Sequence, residues 1–409
     1  MSTTQAPRTR RFDEQRWLLD VAIATVGVEW DQPRLAYTQA PCGAEAAPDF
    51  RTVGAQVKRM ADIGPAFEAA AALREAKARQ AEAEGHLETA REHYFVAALL
   101  WGSAQWPHHE NNEPNLRYNE RKNACYQAWA QRAPHHVERV EIPFGSVTLP
   151  AYFHLPATGN GPFPTAIKIS GMDGMKELSV SQYGDKFLER GMAVLAVDGP
   201  GQGECCLRDI HTTATNWEEA GRAMVDWLVA RPEVDAGRLA VTGQSFGSFW
   251  ATQVAGAEPR IRACAVAAVC HEPGCHTLFN VASPTFKMRY MYMTGYTDEA
   301  EFDRFAQTLT PLPSAERIRC PYLVLAGEED QLSPIEHTYR LVERIQAPKL
   351  MVIYQGDRHS IGGSPSAYRG PAPASLLADW VRDCLDGKPF PSERWYVQNS
   401  GQVVKSPLE

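Results

Sequence analysis

The stretch Arg238-Leu-Ala-Val-Thr-Gly-Gln-Ser-Phe-Gly-Ser-Phe-Trp250 constrains this chain more than any other. A short apolar run, Leu239 to Thr242, stops at Gly243-Gln244-Ser245-Phe246-Gly247, and a helix-like run continues through Trp250 and Val254. The pattern reads as strand, sharp turn, helix. Glycines flank Ser245 because such a turn presses backbone against backbone, leaving no room for a Cβ on either side and forcing the serine into a strained, exposed conformation. The turn aims the hydroxyl outward and sets the N–H of Phe246 where a developing oxyanion can be held. G-x-S-x-G alone recurs in unrelated chains; the strand before it and the helix after it give this one its meaning.

A serine hydroxyl is a poor nucleophile at neutral pH, so Ser245 needs a base, and the base needs an orienting acid. Two later segments supply them. Tyr322-Leu-Val-Leu-Ala-Gly-Glu-Glu-Asp330 puts acids directly after an apolar strand, and Leu350-Met-Val-Ile-Tyr-Gln-Gly-Asp-Arg-His359 puts a histidine a few residues after the next. The order Ser, Asp, His is the one expected of an α/β-hydrolase. His359 is the expected base and Asp330 its acid, with Glu329, Glu328 and the more weakly placed Asp357 as rivals. A second oxyanion donor is expected from Ile167-Lys-Ile-Ser-Gly-Met-Asp-Gly-Met175, at the N–H of Met172 or else that of Gly171. Asp173, Lys176 and Glu177 read either as part of this site or as a surface charge cluster. Asp198-Gly-Pro-Gly-Gln-Gly-Glu204 lacks the G-x-G-x-x-G spacing of a dinucleotide site, so it reads as a structural turn and no cofactor is expected.

The surrounding text has the matching alternation. From Asp13 to about Ala133 it is helical, with Leu87, Ala90, Tyr94, Ala97, Ala98 and Trp101 at helical spacing after an Ala/Glu/Arg-rich stretch that ends at Gly85. Two antiparallel helices joined near Gly85 would bury those faces; no second copy of the pair suggests a repeat array. Residues 1–135 therefore read as a helical cap or dimerisation domain. Residues 136–409 read as the catalytic domain. It opens with a hairpin turning near Gly145, and strands follow at Pro164 to Ser170, Met192 to Val197, Leu239 to Thr242, Ile261 to Val269, Tyr322 to Ala326 and Leu350 to Tyr354. Helices are expected at Gly184 to Arg190, Trp217 to Ala230 and Ser375 to Leu385. This alternation predicts a mostly parallel, doubly wound α/β sheet with its site at the carboxyl ends of the strands. An insertion over the site is expected at about 271–318.

Composition narrows the class. With 409 residues the chain can bury a large core, and a net charge of −8 with no strongly basic run argues against nucleic acid as a partner. Met1 to Arg11 has no apolar signal region and no run approaches a membrane span, so a soluble cytoplasmic protein is expected. Nine scattered cysteines, with Cys205 and Cys206 adjacent, fit free thiols better than a disulfide frame. His271, Cys275 and His276 lack a convincing partner group, so no metal is expected. The pairs His108-His109 and His135-His136 read as solvated loop residues.

The segments Ser-Gly-Met-Asp-Gly-Met-Lys-Glu177, Asp-Gly-Pro-Gly-Gln-Gly-Glu204, Gly-Gln-Ser-Phe-Gly247 and Gly-Glu-Glu-Asp330, with the His359 segment, resemble the α/β-hydrolases grouped with dihydroxypseudooxynicotine hydrolase, the fungal polyketide-shortening pigment hydrolases and the fermentation-respiration switch proteins. The resemblance implies a helical cap closing over a Ser-Asp-His triad and a homodimer. It also implies carbon–carbon bond hydrolysis beside ester cleavage, and a further glutamate between nucleophile and triad acid in sequence. Carbon–carbon cleavage expels a carbon leaving group, so an additional acid is the feature to seek. Glu272 and His271, just past the Ile261 to Val269 strand, are the candidates; the alternative is that they cap the start of the insertion. Phe279, Phe286, Met288, Tyr290, Met291, Tyr292 and Met293 could line an apolar pocket for an aromatic or polyketide-like carbonyl compound, or form the insertion's own core. Carboxylesterase or amidase chemistry uses the same triad, and a non-catalytic regulatory or binding protein on a hydrolase scaffold is the reading from another class.

Overall fold

Alternating apolar runs and amphipathic helices assemble around one large sheet in the computed structural model, which describes residues 10–408. Six helices come first: α1 (Arg10–Val26), α2 (Arg34–Gln39), α3 (Ala47–Gln56), α4 (Ile63–Ala83), α5 (Leu87–Ala104) and α6 (Glu113–Ala130). The turn between α4 and α5 runs through Gly85, whose φ of 82° suits only a residue without a Cβ. Asn112 caps α6 by accepting from the Asn115 N–H at 3.1 Å. The helices bury Phe95, Tyr126 and Trp129 as an aromatic knot with ring centroids 4.8–6.0 Å apart. Tyr126 also meets Tyr152 of the sheet at 4.5 Å, so the helical layer and the sheet share one core.

The sheet has ten strands: β1 (Val137–Phe144), β2 (Val147–His154), β3 (Phe163–Ile169), β4 (Ala193–Val197), β5 (Val234–Ser245), β6 (Ile261–Val269), β7 (Tyr322–Gly327), β8 (Lys349–Tyr354), β9 (Glu393–Val397) and β10 (Val403–Pro407). Their spatial order is β1-β2-β4-β3-β5-β6-β7-β8-β9-β10. The pairs from β4 through β9 are parallel, while β1–β2, β2–β4 and β9–β10 are antiparallel. The chain leaves β3 on one side to form β4 and returns on the other as β5. The crevice at that reversal is where a doubly wound sheet offers a site, and here it lies between Gly171 and Ser245.

Both faces of the sheet are covered, so its inner strands are apolar throughout rather than alternating. One face packs on α8 (Asn216–Val229) and α9 (Phe246–Ala257), where Trp217 and Trp250 stack at 4.7 Å and 12°. The short α7 (Gly203–Leu207) precedes them, and α10 (Pro284–Thr294), α11 (Glu299–Ala306) and α12 (Leu312–Arg317) fill the segment between β6 and β7. After α13 (Ile335–Arg344) and α14 (Pro365–Arg369), α15 (Pro373–Leu385) covers the other face with Leu377, Ala378 and Val381. Among the described residues no helix is long and apolar enough to cross a membrane. All nine cysteines are free thiols, and those of Cys205 and Cys206 donate to the carbonyls of Asp198 and Gly201.

Several expectations need correction. In place of a helix over Gly184 to Arg190 there is one 3₁₀ turn, Leu188–Arg190, because Gly184 and Gly191 both have positive φ and Asp185 takes the Phe187 N–H at 2.9 Å. The chain does not close with α15; β9 and β10 extend the sheet. His135 is not a solvated loop residue, since it lies on Trp129 and its Nε2 sits 3.0 Å from Nδ1 of the buried His154. Burial pushes the imidazoles of His135 down to about 4 and of His109 down to about 3, the latter helped by Arg289. Lys176 and Glu177 are not a surface cluster, because both are fully buried.

They belong to an ion network that joins α6, β1 and α7 to the turns after β3 and β4. Lys176 Nζ lies 3.0 Å from Asp198 and 2.9 Å from Glu177, and it also contacts Glu204; Lys122 of α6 reaches Glu177 at 3.1 Å, and Arg139 of β1 reaches Glu204 at 3.0 Å. Burial alone would drive the lysine toward neutrality, but Asp198, Glu177 and Glu204 together hold Lys176 well above its ordinary value. Removing one member strands the others without compensation. Lys176→Met is therefore expected to lower stability by about 3–5 kcal/mol, measured from the urea unfolding midpoint; a loss under about 1 kcal/mol would refute the account.

Candidate active site

The nucleophile turn is built by steric exclusion. A Cβ on Gly243 would lie 2.1 Å from the Gly247 carbonyl oxygen, and one on Gly247 would lie 2.4 Å from the Ile169 oxygen, so both positions admit only glycine. Between them Ser245 adopts φ 53° and ψ −128°, a left-handed strain held by the packing on either side. Ser245 is half-buried at the end of β5, and its Oγ lies 2.8 Å from His359 Nε2. His359 Nδ1 in turn lies 2.9 and 3.1 Å from the two carboxylate oxygens of Asp330.

The loops that carry Asp330 and His359 are locked together. Gly327 lets the backbone after β7 press on that after β8, where an added Cβ would meet the Arg358 oxygen at 2.3 Å, and the Glu329 N–H donates to Asp357 O at 2.8 Å. Asp330 accepts from the N–H groups of Leu332 and Ser333 at 2.8 and 3.0 Å, which fixes the carboxylate before it meets the imidazole. Gln331 accepts from the His359 N–H at 3.3 Å. The rival acids have other partners: Glu328 takes the Tyr396 hydroxyl and the Gly356 N–H, Asp357 takes the N–H groups of Gly362 and Gly363, and Glu329 is exposed.

On the other side of Ser245, the Gly171 turn comes so close that a Cβ there would lie 2.9 Å from the serine Cβ. Buried Gln202 donates to the carbonyl oxygens of Ser170 and Gly171 at 2.7 and 3.1 Å, and the Gly174 N–H adds a second bond to Gly171 O. In a trans peptide the N–H points opposite to the C=O, so these bonds turn the Met172 N–H away from Gln202. Phe246 is the first residue of α9, so its N–H has no intrahelical acceptor. Gln202 has no signal in the sequence: the glycine-rich turn around it reads as structural, and a glutamine there has no pattern of its own.

Just past β6, His271 and Glu272 make no hydrogen bond to Ser245 and have other partners. His271 is fully buried with Nδ1 3.2 Å from the Thr338 hydroxyl, and Glu272 accepts from the Thr277 N–H at 2.8 Å, with His337 3.8 Å from its other oxygen. Thiol Cys270 lies between β6 and these residues, its N–H donating to Ser248 Oγ at 2.9 Å. The aromatic residues of the insertion are divided. Phe279 and Tyr290 pack on Phe246, with Tyr290 at 4.5 Å, whereas Tyr292 turns toward Asn111 and Asn115. Among the described residues no group of three or more His, Cys, Asp or Glu side chains is placed to hold a metal ion.

Comparison with known proteins adds the family. The family described as "Esterase FrsA-like" matches residues 67–353. This chain belongs to the FrsA-like esterases. Like other members of this group it has the α/β-hydrolase fold, with a helical region before the sheet, and it is a hydrolase. It is 29% identical over 315 residues to 2,6-dihydropseudooxynicotine hydrolase of Paenarthrobacter nicotinovorans, covering 76% of this chain and 81% of that one. Esterase FrsA of Escherichia coli K12 is 28% identical over 291 residues, 67% of this chain and 68% of its own. The crystal structure of 2,6-dihydroxy-pseudo-oxynicotine hydrolase superposes with a TM-score of 0.74 at 25% identity, covering 87% of this chain and 98% of that one. AbyA5, at a TM-score of 0.61 and 17% identity over 87% of this chain and 99% of its own, shares the fold.

The buried imidazole of His271 makes the stability of this FrsA-like esterase depend on pH. Burial, with nearby His337 adding to it, pushes His271 down to about 3. An unfolded histidine takes its proton near 6.5, so as pH falls below that value the unfolded chain binds a proton that the folded chain refuses, and stability falls. Between pH 7 and pH 5 the protein is expected to lose about 2 kcal/mol more than the His271→Gln variant. Paired urea titrations check this; parallel losses would refute it.

Proposed function

We propose that this chain is a cofactor-independent serine hydrolase that cleaves a carbonyl compound through an acyl-Ser245 intermediate, at a carbon–carbon bond next to a ketone. The observation that carries the reading is the unbroken chain of hydrogen-bond distances from Ser245 Oγ through His359 to Asp330. His359 takes the serine proton as Oγ attacks the carbonyl carbon, and Asp330 holds the imidazole tautomer and stabilises the imidazolium. The N–H groups of Phe246 and Met172 receive the negative charge on the former carbonyl oxygen, each such donor being worth about 3–4 kcal/mol in the transition state. Collapse expels the leaving group, which receives the proton from His359. Water, deprotonated by the same imidazole, then attacks the acyl carbon and releases the acid and free Ser245.

The substrate class rests on different support. Likeness to a 2,6-dihydropseudooxynicotine hydrolase over most of both chains favours an aryl ketone, 1,3-dicarbonyl or polyketide-like compound, and Phe279 and Tyr290 give the wall around Phe246 an aromatic character. A carbon leaving group must be protonated on carbon, and Glu272 is the carboxylate this reading assigns to assist, released from the Thr277 N–H when substrate enters. Membership among the FrsA-like esterases favours simple ester cleavage as the second reading. A non-catalytic binding protein would have no use for so complete a proton relay.

Ser245→Ala is expected to lower turnover on the order of 10⁶-fold and to abolish labelling by a fluorophosphonate probe; labelling that survives the substitution would sink the serine mechanism. With paired β-diketone and ester substrates, Glu272→Gln is expected to reduce diketone turnover at least tenfold more than ester turnover. Equal losses would remove Glu272 from the reaction.

A further inference from the structure

A second polar centre lies in a cavity of about 50 Å³ between the helical layer and the loop that follows β3. Arg34, Tyr37, Gln105, Asp173, Arg289 and Tyr292 are among the polar residues that line it. The two arginines differ in their surroundings. Arg34 pairs with Asp31 and, at 2.9 Å, with Asp173, and its guanidinium lies 4.0 Å from the Trp106 ring centre. Arg289, on α10, is only 8% exposed, yet no carboxylate pairs with it among the described residues. Its one protein hydrogen bond runs from Nε to Met172 O at 3.4 Å, which leaves both terminal nitrogens without a protein acceptor.

A guanidinium cannot shed its charge, and terminal nitrogens that no protein oxygen takes are free to receive an anion. The planar fork of arginine matches a carboxylate with two parallel N–H···O bonds. The position is also specific: Arg289 touches the carbonyl of Met172, whose N–H is the proposed oxyanion donor, and the neighbouring Gly171 abuts Ser245. We propose that Arg289 binds a carboxylate of the substrate, so that the preferred carbonyl compounds carry an acid group remote from the bond that breaks. This rests on the serine-hydrolase reading of Ser245. Asp173, whose Oδ1 is buried without a partner, would repel a second acid and restricts the cavity to a monoanionic group that enters on the Arg289 side.

The test uses mono-p-nitrophenyl esters of the dicarboxylic acids with four to seven carbons, each compared with its methyl-capped neutral counterpart. At least one free acid is expected to exceed its neutral partner tenfold in kcat/KM. Arg289→Gln should cut that preference at least tenfold, and Arg289→Lys should retain part of it, because a point charge still attracts the acid. In the wild-type protein the matching dicarboxylate should inhibit hydrolysis of the neutral ester competitively, a readout that needs no variant. The proposal falls if no acid in the series is preferred, if the preference survives Arg289→Gln, or if no dicarboxylate competes. Hydrolysis of both ester classes that survives Ser245→Ala would instead overturn the serine mechanism, which separates the two failures.

Discussion

The site depends on one close approach, the backbone of Gly247 against the carbonyls of Ile169 and Ser170. That contact fastens the end of β3 to the start of α9. It leaves Ser245 in a left-handed conformation, brings the Gly171 turn alongside, and starts the helix at the residue after the serine. A methyl group at Gly247 would separate all three at once. The strain at Ser245 persists because its surroundings are over-determined: Trp250 is stacked on Trp217, Phe246 is gripped by Tyr290, and Gln202 ties down the opposing loop.

Much of this arrangement could be read from the chain. Central strands buried on both faces are continuous apolar runs, and Ile261–Val269 and Leu350 to Tyr354 stand out against the helices between them. The last two strands, β9 and the edge strand β10, do not, because Glu393, Arg394, Lys405 and Ser406 interrupt the apolar pattern and only Val397 among their residues is buried. Around the site, spacing alone left Glu328, Glu329, Asp330 and Asp357 in contention. What distinguishes Asp330 is a pair of backbone N–H groups and the docking of one loop on another, neither of which has a sequence signature.

The least legible features are those assembled from distant parts of the chain. The buried ion network draws on Lys122, Arg139, Lys176, Glu177, Asp198 and Glu204, and each of these residues viewed alone looks like ordinary surface charge. The cavity near Arg289 likewise needs α2, α10 and the turn after β3. Charged residues are seldom buried unless they are paired, so local reasoning assigns them to the surface, and only the fold reveals the exceptions.

The shared core of helices and sheet also determines how a reactant can arrive. Gly102 of α5 sits so tightly on Met175 that a Cβ would lie 2.2 Å from its sulfur, and Lys122 is sealed against Glu177 on the same side. Swinging the N-terminal helices aside as a hinged lid would tear open that ion pair and the Tyr126–Tyr152 contact together, so this layer behaves as a fixed wall. Beside Phe246, Thr277–Val281 forms a π-helical turn, a geometry that can revert to an α-turn by shifting one residue in register. A ratchet of that kind would move Phe279 off Phe246 while the sheet and the helical wall stay as they are.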